Sequence, residues 1–345
     1  MKIGVFDSGY GGLTILEQIR KQLPEYDYLY LGDNARAPYG THSFEVIHQY
    51  TWQAVQYLFG ADCSLVILAC NTASAKALRT IQQQDLPKWL QSGGDACVPD
   101  GLKEVRSEVY PVYGSRTTDD LPSAQANSPA PLAGRGLGAG QCQDASRLVG
   151  AELSNSKLSN CQIRNVLGVI RPTAEAVAQR TRNGHIGVLG TPGTVQSGSY
   201  AIELQKQRAD LLVAQQACPM WVPLIENGEH LQTGADYFVE KYLRLLFTQD
   251  PQIDTLVLGC THYPLLLPKI QAALSAIVAH EVEVVAQGEI VARSLQDYLR
   301  RHTDIAATLS QGATCTYLTT EQADKFSESA SLFLRTPVNA HHVVL

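Results

Sequence analysis

The sequence predicts an α/β fold made of two pseudo-symmetric, doubly wound parallel-sheet domains, with an active site in the cleft between them. Three observations carry this prediction. At 345 residues the chain exceeds the roughly 250 residues at which a single hydrophobic core stops growing, so two cores are expected. Short apolar, β-rich runs alternate with stretches of helical period, and such alternation builds parallel sheets covered by helices. The order of motifs also repeats: "IGVFDSGYGG" from Ile3 is answered by "IGVLGTPGTV" from Ile186, and "LVILACNT" from Leu65 by "LVLGCTH" from Leu256. Cys70 lies 67 residues after Ile3 and Cys260 lies 74 after Ile186, so the halves read as diverged copies of one unit.

Taken in order, "KIGVF" is a strand stopped by "DSGYGG", after which Leu13, Leu16, Ile19 and Leu23 recur at helical spacing. "YLYLGD" is a second strand and "APYG" a turn. Phe44, Ile47, Thr51, Val55 and Leu58 then mark one face of a helix opened by Thr41 or Ser43. "SLVILAC" is a continuous apolar run, as a strand buried on both faces requires, and a helix begins near Thr72. From 88 to 165 the composition turns to Ser, Gly and Ala, as in "SRTTDDLPSAQANSPAPLAGRGLGAGQ". It offers too little apolar surface to offset the entropy of ordering, and is expected to be a mostly flexible insertion with a short strand at "VYPVY". The strand-helix rhythm resumes with "VLGVI" and continues through "HIGVLGTPGTV", "VAQQACPMWVPLIENGE", "IDTLVLGC" and "EVEVVAQGE". "ATCTYLTTEQADKFSESASLFL" adds a strand, a capping box from Thr319 to Gln322, and a helix with Ala323, Phe326, Ala330 and Phe333 on one face.

Composition narrows the function. A net charge of -6 leaves no basic footprint for nucleic acid, so a small-molecule partner is expected. No apolar run approaches the roughly 18 residues of a membrane span, and the start "MKIGVFDSGYGG" has no signal-peptide layout, so a cytoplasmic protein with no membrane partner is expected. Eight cysteines, at 63, 70, 97, 142, 161, 218, 260 and 315, include no C-x-x-C pair. Cys63, Cys218 and Cys315 read as small buried hydrophobes.

Ligands of open parallel sheets sit beyond the carboxyl ends of the strands, where Asp7-Ser8, Cys70-Asn71-Thr72 and Cys260-Thr261-His262 all fall. "DSGYGG" lacks the lysine and spacing of a nucleotide loop; its Asp7 suits an ammonium group, the polarisation of a neighbouring acid or base, or a helix cap. Cys70 and Cys260 are each followed by polar residues able to start a helix, a position that stabilises a thiolate. Zinc on Cys70, Cys260 and His262 is the rival reading, weakened by the lack of a local ligand pair; no metal is expected. His262 and Glu226 could assist proton transfer, or serve as a cap and a loop residue. Asn71, Thr72, Thr261, Tyr39 and the Gly40 backbone offer neutral donors and acceptors for a carboxylate and an amine. Two thiols on opposite sides of one carbon, one ionised and one not, would suit a racemase or epimerase. No pyridoxal-phosphate lysine motif is apparent, and a thiol pair would make that cofactor unnecessary.

These motifs bring a resemblance into view. Over residues 3 to 87 and 166 to about 300 the chain resembles the glutamate racemase family, on "FDSGYGGL", "YLGDNARAPYG", "LACNTASAKALR", "GVIRPTAEA", "GVLGTPGTV", "PLIENGE" and "GCTHYPLL". The resemblance implies a cofactor-independent enzyme that makes D-glutamate for bacterial peptidoglycan, with Cys70 and Cys260 as the two proton donors and acceptors. It implies substrate binding by Asp7, Ser8, Tyr39, Gly40, Asn71, Thr72, Thr261 and His262, and help in proton exchange from Asp7, Glu226 and His262. It also implies a homodimer, and a first domain of residues 1–87 plus about 286–345 around a second of 166–285. The chain departs from the family in its long 88–165 stretch and in "AQGE" at 286–289, where the family has an Asp-Ser-Gly-like turn. An aspartate or hydantoin racemase of the same fold, or an amino-acid-binding protein without chemistry, are the alternatives.

Overall fold

The structure is a computed structural model and describes residues 1–94 and 163–345. The expected strand at "VYPVY" and nearly all of the expected insertion lie outside the described residues; of its first part, residues up to Gln91 complete a helix, Leu86–Gln91. Among the described residues ten strands form two sheets: β1 (Lys2–Asp7), β2 (Tyr28–Gly32), β3 (Cys63–Leu68), β4 (Asn165–Gly168), β5 (His185–Gly190), β6 (Leu212–Ala217), β7 (Thr255–Gly259), β8 (Glu283–Val285), β9 (Cys315–Thr319) and β10 (Ala340–His342). One sheet has the order β10-β9-β2-β1-β3-β4 and the other β6-β5-β7-β8, and every pairing is parallel. The segment β2-β1-β3-β4 therefore has the same order as β6-β5-β7-β8, which is the internal repeat seen as topology.

Burial explains the strand sequences. All six residues of β3 are buried, and its side chains alternate between two cores. Leu65 and Ile67 join Ile3, Val5, Leu13 and Leu295 on one face, whereas Val66 and Leu68 join Phe6, Leu31, Ile47 and Leu58 on the other. The second sheet is built alike. Leu256 and Leu258 pack with Leu243 and Leu246, while Val257 packs with Val177, Ile186 and Leu204.

Two local expectations resolve at helix ends. Of Thr41 and Ser43, it is Ser43 that caps the helix Phe44–Gly60, its Oγ accepting from the Val46 N–H at 3.4 Å. The capping box from Thr319 to Gln322 is not formed. The helix Ala323–Leu334 has Gln322 at its cap position without a side-chain bond, because Thr319 Oγ1 accepts from the Glu321 N–H and donates to Asn34 instead.

The chain re-enters the described structure through β4, which pairs with β3 in the six-stranded sheet, so it crosses to the four-stranded sheet only after Gly168. It returns after β8 through the helix Gly288–Arg301, which packs on the helix Gly12–Gln22 of the first sheet and on the helix Ile170–Arg180. The two crossings thus lie side by side, and the carboxyl ends of the central strands of both sheets border one pocket.

Candidate active site

The pocket has a volume of about 100 Å³. From the six-stranded side it is lined by Ser8, Tyr39, Gly40, Cys70, Asn71 and Thr72, and from the other side by Thr191, Cys218, Glu226, Cys260, Thr261 and His262. Ten of the eleven residues singled out in the sequence reach its wall. Asp7 is the exception: it is buried directly behind, with Oδ2 accepting from the Gly9 N–H at 2.9 Å and Oδ1 accepting from the Thr261 hydroxyl at 3.5 Å. It does not cap the helix Gly12–Gln22, whose cap position is Gly11. A larger hollow of about 230 Å³ around Arg20, Lys21 and Tyr317 shares no residue with this pocket and holds no thiol.

The glycine loop owes part of its composition to the opposite wall. A side chain at Gly11 would run into Thr261 and His262, so the backbone of the first half lies directly against the motif that carries the second cysteine. Tyr39 is buried, and its hydroxyl donates to Asp33 at 2.5 Å. Asp33 also accepts from Arg36 Nε at 2.7 Å and from Thr320 at 2.8 Å, which fixes the Tyr39-Gly40 turn at the mouth.

Cys70 stands at the N-cap of the short helix Asn71–Lys76. Its sulfur accepts weakly from the Ala73 N–H at 3.5 Å and lies 3.4 Å from the Ser8 hydroxyl. The sequence predicts a thiolate stabilised by this position. In the folded pocket burial outweighs it: removal from water, reinforced by nearby Asp7 and Cys260, pushes the Cys70 thiol up to about 12, against the smaller help of Ser8 and Ala73. Cys260 has other company. Its sulfur lies 3.8 Å from His262 Nδ1, and the far side of the same ring, Nε2, is 3.1 Å from Glu226 Oε1. Burial opposes a charge on His262, but the hydrogen bonds and negative charge of Cys260 and Glu226 prevail and lift it to about 10. Burial raises Asp7 above the ordinary carboxylate range, against the opposing pull of His262 and the Gly9 and Gly12 amides. Among the described residues no group of three or more His, Cys, Asp or Glu side chains is arranged to hold a metal ion.

A sequence model of the Asp/Glu/Hydantoin racemase family matches residues 165–295. Over 301 residues the chain is 32% identical to the glutamate racemase of Oceanobacillus iheyensis, spanning 87% of this chain and 80% of the relative. It is likewise 32% identical to that of Streptococcus sanguinis, spanning 99% and 98%. The chain belongs to the glutamate racemase family. It is an amino-acid racemase, and glutamate racemisation is its activity. The crystal structure of glutamate racemase isoform RacE1 from Bacillus anthracis superposes with a TM-score of 0.70 at 27% identity, over 100% of this chain and 97% of that one, and places the two parallel sheets in the same family fold.

Several residues around the racemase pocket were not singled out in the sequence. Thr191 and Thr194 sit in the repeat partner of the glycine loop, and their hydroxyls lie 2.9 and 3.4 Å from that of Thr72, tying the two walls together. Cys218 lines the pocket as a buried thiol, raised well above its ordinary range by burial first and by Cys260 second. Gln287, within the "AQGE" departure, is buried and bonds Asn71, Tyr200 and Thr173. The repeat itself was the available signal for Thr191 and Thr194; for Gln287 there was only the departure.

Proposed function

We propose that the chain interconverts L- and D-glutamate by two-base proton transfer between Cys70 and Cys260, with no pyridoxal or metal cofactor, and that the D-glutamate serves peptidoglycan synthesis in the cytoplasm. The observation that carries this reading is that two cysteines, each at the carboxyl end of the equivalent strand of a repeated sheet, line the same small pocket. A thiolate on one side takes the α-proton, and the thiol on the other delivers its own proton to the opposite face of the carbanion; the sulfurs exchange roles in the reverse reaction. The two sulfurs have different surroundings: burial raises Cys70, while the sulfur of Cys260 lies 3.8 Å from His262 Nδ1.

The remaining wall suits a small amino acid. Ser8, Asn71, Thr72, Thr261 and the Tyr39-Gly40 turn supply neutral donors for carboxylates, and buried Asp7 supplies negative charge behind Thr261 for an ammonium group. Asp7, Glu226 and His262 assist proton exchange, His262 by linking Cys260 to Glu226. No nucleic acid or membrane takes part, and a homodimer is the proposed assembly.

The test is incubation with L-glutamate in deuterated water, following the α-proton by NMR and optical activity by circular dichroism. Loss of the α-proton signal together with decay to zero ellipticity is expected. Binding of glutamate without solvent exchange at the α-carbon would reduce the chain to an amino-acid-binding protein, and faster turnover of L-aspartate would move the substrate assignment.

A further inference from the structure

Behind Asn71 lies a closed ring of three hydrogen bonds. Asn71 Nδ2 donates to Gln287 Oε1 at 2.7 Å, Gln287 Nε2 donates to the Tyr200 hydroxyl at 2.6 Å, and that hydroxyl donates to Asn71 Oδ1 at 2.6 Å. All three residues are buried, and they come from three separate parts of the chain: the start of the helix Asn71–Lys76 after β3, the helix Ser199–Gln207 of the second half, and the return crossing after β8.

A ring of this kind could run in either sense, with both amides turned over and the hydroxyl reversed. One further contact removes the ambiguity. Gln287 Nε2 also lies 3.0 Å from Thr173 Oγ1, and the single Thr173 hydroxyl hydrogen is committed to the Val169 carbonyl at 2.7 Å, a partner that can only accept. Thr173 must therefore receive from Gln287. That puts the Gln287 nitrogen towards Thr173 and Tyr200, which sends the Tyr200 proton to Asn71 Oδ1 and turns the Asn71 nitrogen towards Gln287.

We propose that Thr173, Gln287 and Tyr200 form a positioning device that sets the sense of the Asn71 amide, so that its second Nδ2 hydrogen is the donor offered to a substrate carboxylate in the pocket that Asn71 lines. None of the three touches substrate. Their effect is to hold ready a donor that would otherwise divide its time between two orientations, half of them presenting a carbonyl oxygen to an anion. Because the ring joins the helix start after β3 to the second half and to the return crossing, it also makes substrate affinity depend on the register between the two halves. This assignment rests on the proposed glutamate chemistry, and deepens it.

The test compares Thr173→Val, Tyr200→Phe and Thr173→Ser in the full chain, measuring Kd for L-glutamate by calorimetry, KM and kcat in both directions, and the melting temperature. Calorimetry keeps the result independent of turnover. Thr173→Val and Tyr200→Phe are expected to raise Kd and KM about twofold, as for a donor correctly oriented half of the time, with kcat unchanged. Thr173→Ser, which keeps the acceptor, is expected to restore wild-type affinity. A lowered melting temperature with unchanged Kd would overturn the proposal and leave a purely structural ring; a fall in kcat with KM unchanged would overturn it too. A wild-type chain that binds glutamate but does not racemise it would sink the two-base reading, while the Kd comparison would still decide the ring.

Discussion

Cys70 and Cys260 follow β3 and β7, strands in equivalent places of two sheets with the same order, yet their sulfurs meet different partners. The Cys70 side offers a hydroxyl, a backbone amide and burial, with no cation among the described residues in hydrogen-bonding reach of the sulfur. The Cys260 side carries an imidazole that is itself braced by a carboxylate. The two positions are equivalent in the repeat, but their surroundings are electrostatically unequal. In a two-base transfer one sulfur starts ionised and the other protonated; two coupled thiols can already share one proton, and unequal partners would bias which sulfur holds it.

The largest expected effect comes from removing either sulfur. Cys70→Ala and Cys260→Ala should each lower racemisation by at least about 10³-fold, read by circular dichroism of either enantiomer; full activity in one of them would show that the pair does not act as a pair. Each Cys→Ser variant should still exchange the α-proton of one enantiomer preferentially, and of opposite enantiomers for the two positions, which solvent-deuterium NMR resolves.

His262→Asn takes the imidazolium away from one sulfur only, and kcat/KM should fall about 10²-fold. Since the enantiomers are equal in free energy, the ratio must fall equally in both directions, so any asymmetry has to appear in kcat and KM separately. Glu226→Gln should act more mildly and through pH. With His262 raised to about 10, its charge is present at neutral pH and lost as pH rises through that value. Removing Glu226 takes away one of the two partners that raise it, so the alkaline limb of the kcat profile should move to lower pH. Stability has the same sign: the contribution of His262 is complete below its ordinary value near 6.5 and disappears on the way to 10. An unmoved limb would mean that the imidazole does not govern the Cys260 side. Smallest in chemical reach is Gly11→Ala, which should push the loop off Thr261 and His262 and raise KM several-fold, checked by steady-state kinetics beside a melting curve.

Much of this was legible in the chain because the two halves state it twice. The runs ending at Cys70 and Cys260 read as strands since both faces of each are buried, and their polar followers fall at strand ends by the geometry of parallel sheets. What was hidden depends on contacts between distant segments. Gln287 looks like a loop residue beside Gly288, and only folding brings Asn71, Thr173 and Tyr200 to it. The upward shift at Cys70 was hidden for a related reason: local sequence shows the helix start, whereas burial is a property of the whole pocket. The capping box that was expected but did not form shows the same competition on a small scale, with Asn34 and the Glu321 amide taking the hydroxyl of Thr319.

The joints of residues 95–162 are placed with consequence. On one side Trp89 stacks on Phe59, and on the other Arg164 lies over both rings and donates to the carbonyls of Phe59 and Cys63. Both anchors are at the amino ends of β3 and β4, the opposite rim of the sheet from the two sulfurs. Residues 95–162 therefore join the described structure at the rim away from the pocket that Cys70 and Cys260 line.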